Sequence, residues 1–211
     1  MNVKVKICGV TLPAQAREIA RQGADFVGCV IEFPKSPRSV TGEKAREIQE
    51  AVNNRCRGRK FSARTVGVVV NLPFERLCRL IEESGISIWQ LHGNETTAYV
   101  NRLRKRGVII WKAVTRQNYL HYASVVEVLL VDAKNPMHGA GGSGKRADWN
   151  FARELVEAGY EVVLSGGLTP ENIHDGIKFT RSRIIDASGG VEVKPGVKDM
   201  RKVRLFIKNA K

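Results

Sequence analysis

Short β-branched apolar runs recur along the chain, each followed by a polar or glycine-rich turn and then a stretch whose apolar positions fall at helical spacing. The runs are VKVKICG at 3–9, ADFVGCVI at 24–31, RTVGVVVN at 64–71, ISIWQLHG at 86–93, VIIWKAV at 108–114, VEVLLVDA at 126–133, YEVVLSGG at 160–167 and RIIDASGG at 183–190. Continuous rather than alternating apolar character marks strands buried on both faces. A helix is predicted over 41–55, where a Thr-Gly-Glu-Lys start precedes Ala45, Ile48 and Val52. Others are predicted to begin near Leu12, Pro73, Asn94, Asp148, Pro170 and Val197, with a short one over 117–124; the prolines at 73 and 170 suit a first turn that needs no N–H donor.

Eight strand–helix units predict a parallel sheet covered by helices, and eight close naturally into a (β/α)8 TIM barrel. An open doubly wound sheet would carry a G-x-G-x-x-G turn after its first strand, and none is present. The expectation is therefore one compact domain over residues 1–211 with short loops, since barrels of this kind rarely run below about 200 residues. Only the stretches 32–40 and 134–147 are long enough to act as lids or binding loops. In such barrels chemistry gathers at the carboxyl ends of the strands, which makes Cys8, Asn71, Gln90 with His92, Lys112, Asp132, Ser165 and Ser188 candidates by position alone.

Composition adds limits. Apolar residues at 43% and charged ones at 27% are ordinary for a globular protein. The amino terminus alternates lysine with apolar residues, unlike a signal peptide, and no run nears the roughly 20 apolar residues of a membrane span, so a cytoplasmic protein without membrane attachment is expected. Cys8, Cys29, Cys56 and Cys78 lie far apart, as do the four histidines, which argues against a metal site or a disulfide framework. The net charge of +14 favours anions, either polyanions or phosphorylated metabolites. Its densest clusters, RCRGRK at 55–60 and RLRKR at 102–106, fall at expected helix ends and lack interleaved aromatics, so solvated helix ends are preferred over a nucleic-acid surface.

Two glycine corners carry the strongest chemical signal. Ser165-Gly166-Gly167 and Ser188-Gly189-Gly190 end the last two strands, where backbone N–H groups can approach a phosphate. Alternation in the first strand turns Lys6 into the barrel beside Cys8, and a buried lysine needs a partner, for which Asp186 on the neighbouring last strand is the candidate. That ammonium would favour a Cys8 thiolate able to act as a base; the alternative is an inert core thiol. Asp132, at the mouth of an apolar strand, would either donate a proton through a raised pKa or cap a turn. In the FPKSPRSV loop, Arg38 could grip a carboxylate with its fork or simply lie in solvent beside Lys35.

With these motifs in order, the chain resembles the phosphoribosylanthranilate isomerase family from end to end. The resemblance is carried by KICGVT (6–11), GADFVGCVIEFPKSPRSVT (23–41), VGVVVN (66–71), IWQLHGNE (88–95), LLVDA (129–133), GGSGKRADW (141–149), LSGGLTPENI (164–173) and DASGGVEVKPGVKD (186–199). It implies an Amadori rearrangement of N-(5-phosphoribosyl)anthranilate to 1-(2-carboxyphenylamino)-1-deoxyribulose 5-phosphate in tryptophan biosynthesis, without metal or organic cofactor. The family's general base then falls on Cys8, its general acid on Asp132, its carboxylate-binding arginine on Arg38, and its phosphate contacts on the two corners, with Lys6 and Asp186 in support. One departure stands out: where the family motif typically has a second serine, this chain has Gly189, which loses a hydroxyl and leaves the backbone N–H. The expected partner is a small phosphorylated substrate, taken by a monomer or homodimer, with no nucleic acid. The rival readings are another sugar-phosphate isomerase or epimerase, against which Cys8 and Arg38 argue, and a barrel that binds polyanions, for which only the charge speaks.

Overall fold

The computed structural model describes residues 2–56, 63–133 and 147–211, without the side chains of 54–56. Eight parallel strands, β1 (Lys4–Ile7), β2 (Phe26–Ile31), β3 (Arg64–Val69), β4 (Ile88–Leu91), β5 (Ile109–Val114), β6 (Val128–Val131), β7 (Val162–Leu164) and β8 (Ile184–Ala187), hydrogen-bond in sequence order, and β1 pairs with both β2 and β8. The sheet is therefore a closed (β/α)8 TIM barrel, as the pattern predicts. Closure sets Lys6 opposite Asp186 across the seam.

Eight helices follow the strands: α1 (Pro13–Arg21), α2 (Gly42–Cys56), α3 (Phe74–Ser84), α4 (Thr97–Arg104), α5 (Tyr119–Tyr122), α6 (Trp149–Glu157), α7 (Ile173–Thr180) and α8 (Met200–Ala210). Their starts follow local chemistry. The Thr41 hydroxyl accepts from Lys44 N at 3.1 Å, Asp148 from Phe151 N at 2.9 Å, and Asp199 from Arg201 N at 2.9 Å. Three starts differ from expectation, one of them because Val197–Lys198 forms a short strand, so that α8 begins only at Met200. Helix α4 begins after Thr96, which accepts from Tyr99 N, because Asn94 N is committed to the Asn71 carboxamide. Helix α7 begins at Ile173, since the Asn172 side chain folds back onto Thr169 N and leaves Pro170 in the preceding turn. Pro13 occupies the first helical turn of α1, whereas Pro73 sits at the N-cap of α3.

Alternation splits each strand between two apolar layers. Val5, Ile7, Val27, Cys29 and Ile31 pack outward against helix residues such as Ala45, Ile48 and Val52. Phe26, Val66, Ile88, Trp111, Leu130, Val163 and Ile184 fill the barrel interior, with Phe26 meeting Trp111 edge to face at 4.9 Å between centroids. This plug is the floor beneath the mouth of the barrel. Each large side chain buried in either layer contributes roughly 1.5–3 kcal/mol.

The RLRKR cluster at the end of α4 is a solvated helix end: Arg102, Arg104 and Arg106 lie near Glu75, Glu127 and Glu82 respectively. The other cluster, at 55–60, and the long loop at 134–147 fall almost entirely outside the described residues. Among the described residues no helix is long and apolar enough to cross a membrane.

Candidate active site

Above the floor, at the carboxyl ends of the strands, lies a cavity of about 380 Å³. Cys8, Arg38, Asp132, Ser165, Gly166, Gly167, Asp186, Ser188, Gly189 and Gly190 all line it, together with Gln90 and His92. Lys6 lies one step deeper, fully buried. Asn71 and Lys112, candidates by position, are elsewhere. Register explains Lys112: in β5 its neighbours Trp111 and Ala113 take the interior face, so its ammonium points toward the helices and pairs with Glu95 at 3.1 Å.

Cys8 follows directly on β1, tied to β8 by its N–H donating to Ala187 O at 2.8 Å. Beneath it the Lys6 ammonium donates to Asp186 Oδ2 at 2.8 Å, and Ser165 Oγ approaches the same oxygen at 3.4 Å. The other Asp186 oxygen, Oδ1, is buried and has no hydrogen-bond partner among the described residues. Room for this group comes from β2, where a Cβ on Gly28 would stand 2.8 Å from Cys8 Sγ and 3.0 Å from Lys6 Cε.

Burial alone disfavours the Lys6 ammonium, but Asp186 and Cys8 more than offset it, so its pKa lies above the ordinary lysine range. The thiol behaves otherwise than expected from its neighbour. Burial pushes the Cys8 pKa up, and the opposing pull of Lys6 is countered by the Asp186 carboxylate beside it. The thiol form is therefore favoured, and the thiolate would be a correspondingly strong base.

Asp132 follows β6. Its Oδ1 accepts from Ala133 N at 2.6 Å and its Oδ2 lies 3.5 Å from His92 Nε2. Burial, then Lys112 and Lys6, depress the His92 pKa to about 4, which keeps the ring neutral at pH 7. Gly166 brings the first glycine corner against this acid: at φ +82°, a Cβ there would lie 2.7 Å from Asp132 Oδ1. The second corner packs on the first, with Gly190 against the Leu168 carbonyl.

Arg38 is not a solvated arginine. It is buried in the cavity wall, with Nε donating to Glu192 Oε1 at 2.9 Å and Nη2 to Oε2 at 2.6 Å. Among the described residues, no group of three or more His, Cys, Asp or Glu is arranged to hold a metal ion.

The profile of the family described as N-(5'phosphoribosyl)anthranilate (PRA) isomerase matches residues 5–209. The chain belongs to this family. It is 40% identical over 210 residues to the N-(5'-phosphoribosyl)anthranilate isomerase of Aquifex aeolicus, covering 99% of this chain and 98% of that one. Among solved structures, phosphoribosyl anthranilate isomerase from Thermotoga maritima superposes with a TM-score of 0.84 at 34% identity, covering 99% and 98% of the two chains. A further isomerase structure, with a TM-score of 0.81 at 32% identity and coverage of 99% and 98%, was solved in complex with reduced 1-(o-carboxyphenylamino)-1-deoxyribulose 5-phosphate.

Sequence reasoning passed over two residues of this family member's cavity region. Glu192 lines the cavity, and Lys198 is buried against it at 2.7 Å. The available signal was a glutamate directly after an apolar glycine turn, Gly189-Gly190-Val191, where burial of the charge would demand cationic partners.

Proposed function

We propose that this family member converts N-(5-phosphoribosyl)anthranilate to 1-(2-carboxyphenylamino)-1-deoxyribulose 5-phosphate, its step in tryptophan biosynthesis, with Asp132 as general acid and Cys8 as general base. The observation that carries the reading is that a thiol, a carboxyl, a buried arginine and two glycine corners all face one cavity.

The phosphate rests on the N–H groups of the Ser165–Gly167 and Ser188–Gly190 turns, and Arg38 holds the anthranilate carboxylate. Asp132 gives its proton to the furanose ring oxygen. The C1–O bond breaks as the nitrogen lone pair forms a C1=N iminium. Cys8 thiolate then removes the C2 proton, and the released pair forms C1=C2 while the iminium electrons return to nitrogen. Loss of the enol O–H proton and protonation at C1 complete the ketone. Asp186, ion-paired with Lys6 at 2.8 Å, supports the site from beneath Cys8.

We also read the enzyme as cytoplasmic, acting alone or as a homodimer on a small molecule; that the basic cluster at the end of α4 is paired with glutamates supports the reading against nucleic acid.

The test is turnover followed by anthranilate fluorescence. Each proton-transfer group contributes roughly a hundred- to ten-thousand-fold. Cys8→Ala and Asp132→Asn should therefore lose that much kcat while binding a reduced product analogue nearly as tightly as the parent. Near-parental turnover by either variant would overturn its assignment.

A further inference from the structure

Glu192 is a buried carboxylate that the acid–base scheme leaves without a task. It begins a short strand, Glu192–Lys194, that pairs antiparallel with Val197–Lys198 just beyond β8. Oε1 receives hydrogen bonds from Arg38 Nε at 2.9 Å, Lys198 Nζ at 2.7 Å and Gly196 N at 3.3 Å, and Oε2 receives one from Arg38 Nη2 at 2.6 Å. Despite its burial, these donors hold the Glu192 pKa below the usual carboxylate range, so it is ionised wherever the enzyme works.

Three features point beyond stability. A buried ion pair seldom outperforms well-packed apolar side chains, so stability alone is a weak reason for this one at a cavity wall. Two buried cations meet one carboxylate here, which leaves the cluster with a net positive charge on the side that lines the cavity. The geometry is also constrained along the arginine: its stem crosses Gly9, where a Cβ would stand 2.5 Å from Arg38 Cδ, and its fork is gripped on the Nε edge. A guanidinium fixed at stem and edge has a single orientation. Lys198 then carries the same anchor to the second glycine corner, where Nζ donates to Ser188 O at 3.2 Å and approaches Ser188 Oγ at 3.5 Å.

We infer that Glu192 is the positioning residue that aims Arg38 at the substrate carboxylate. It thereby sets selectivity for ligands that carry this carboxylate. The inference rests on the reading of Arg38 as the carboxylate-binding residue.

The experiment compares two reduced product analogues, one bearing the 2-carboxyphenyl group and one bearing phenyl, for the parent enzyme, Arg38→Met, Glu192→Gln and the double variant. A charge-assisted, bidentate contact is worth roughly 10- to 100-fold in affinity. Arg38→Met and Glu192→Gln should each weaken the carboxylated analogue by about that factor, leave the phenyl analogue within about threefold, and combine with no further loss. Lys198→Met should instead weaken both analogues equally, because its contact is to the phosphate corner. Should Glu192→Gln fold poorly, Glu192→Asp keeps the charge but shortens the reach, and a smaller loss confined to the carboxylated analogue is expected.

If Arg38→Met loses selectivity while Glu192→Gln keeps it, or if Glu192→Gln weakens both analogues alike, the positioning role is wrong and the Arg38 reading survives. If Arg38→Met leaves selectivity intact, the Arg38 reading itself fails and the positioning role falls with it.

Discussion

His92 presents Nε2 to Asp132 at 3.5 Å while its Nδ1 lies 2.8 Å from Gln90 Nε2. An amide nitrogen can only donate, so Nδ1 accepts and the imidazole proton sits on Nε2, facing the carboxyl proposed as the acid. Gln90→Glu reverses that choice, because a carboxylate demands a proton on Nδ1. The expected result is a fall in kcat of roughly ten- to a hundredfold with KM little changed, from misdirection of Asp132. Steady-state kinetics over a pH series checks it, and an unchanged kcat would separate the pair from catalysis.

The neutral imidazole also makes stability depend on pH. Its pKa falls from about 6.5 in the unfolded chain to about 4 in the fold, so between those values the unfolded state binds more protons. The stabilisation is full above about pH 6.5 and is lost as the pH drops toward 4, amounting to about 3 kcal/mol for such a shift. The groups that set it are Lys112, Lys6, Asp186 and Glu95, together with Asp132 opposite Nε2. Urea unfolding of the parent and of His92→Gln should show their difference in stability shrinking by that amount between pH 7 and pH 4. A constant difference would place the ring in a more polar setting.

For Cys8, burial has the upper hand over Lys6, so thiolate chemistry belongs to alkaline solution. Alkylation of Cys8 by iodoacetamide, mapped by mass spectrometry, should still be rising above pH 8.5, the ordinary thiol value. The free-enzyme kcat/KM should climb over the same range. Full reactivity already at pH 6 would mean that Lys6 prevails.

Lys6→Met leaves Asp186 charged and buried with its principal partner gone. Loss of one member of such a pair costs about 3–5 kcal/mol. Chemical denaturation should report that loss, and Lys6→Met combined with Asp186→Leu should recover much of it, since an apolar pair of similar volume removes the stranded charge.

The barrel was legible because periodicity is a local property: a run such as Val126 to Val131 carries its own signature of burial on both faces. Element ends were less so, as at Asn94, whose N–H serves Asn71 rather than a helix start. The pairing of Lys6 with Asp186 could be read because closure makes the first and last strands neighbours. Arg38 with Glu192 could not, since 154 residues separate them and neither lies on a strand of the barrel. Likewise the outward turn of Lys112 depends on register, which one strand read alone leaves open. The direction of the Cys8 shift required a balance among burial, Lys6 and Asp186 that only the assembled cavity provides.

Lys6 and Asp186 stand 180 residues apart in the chain and touch across the seam. During synthesis, therefore, the ammonium beneath the thiol waits for its counterion until the eighth strand has left the ribosome. Catalytic competence should switch on at that length rather than grow with the nascent polypeptide, which makes this ion pair a marker of a finished ring.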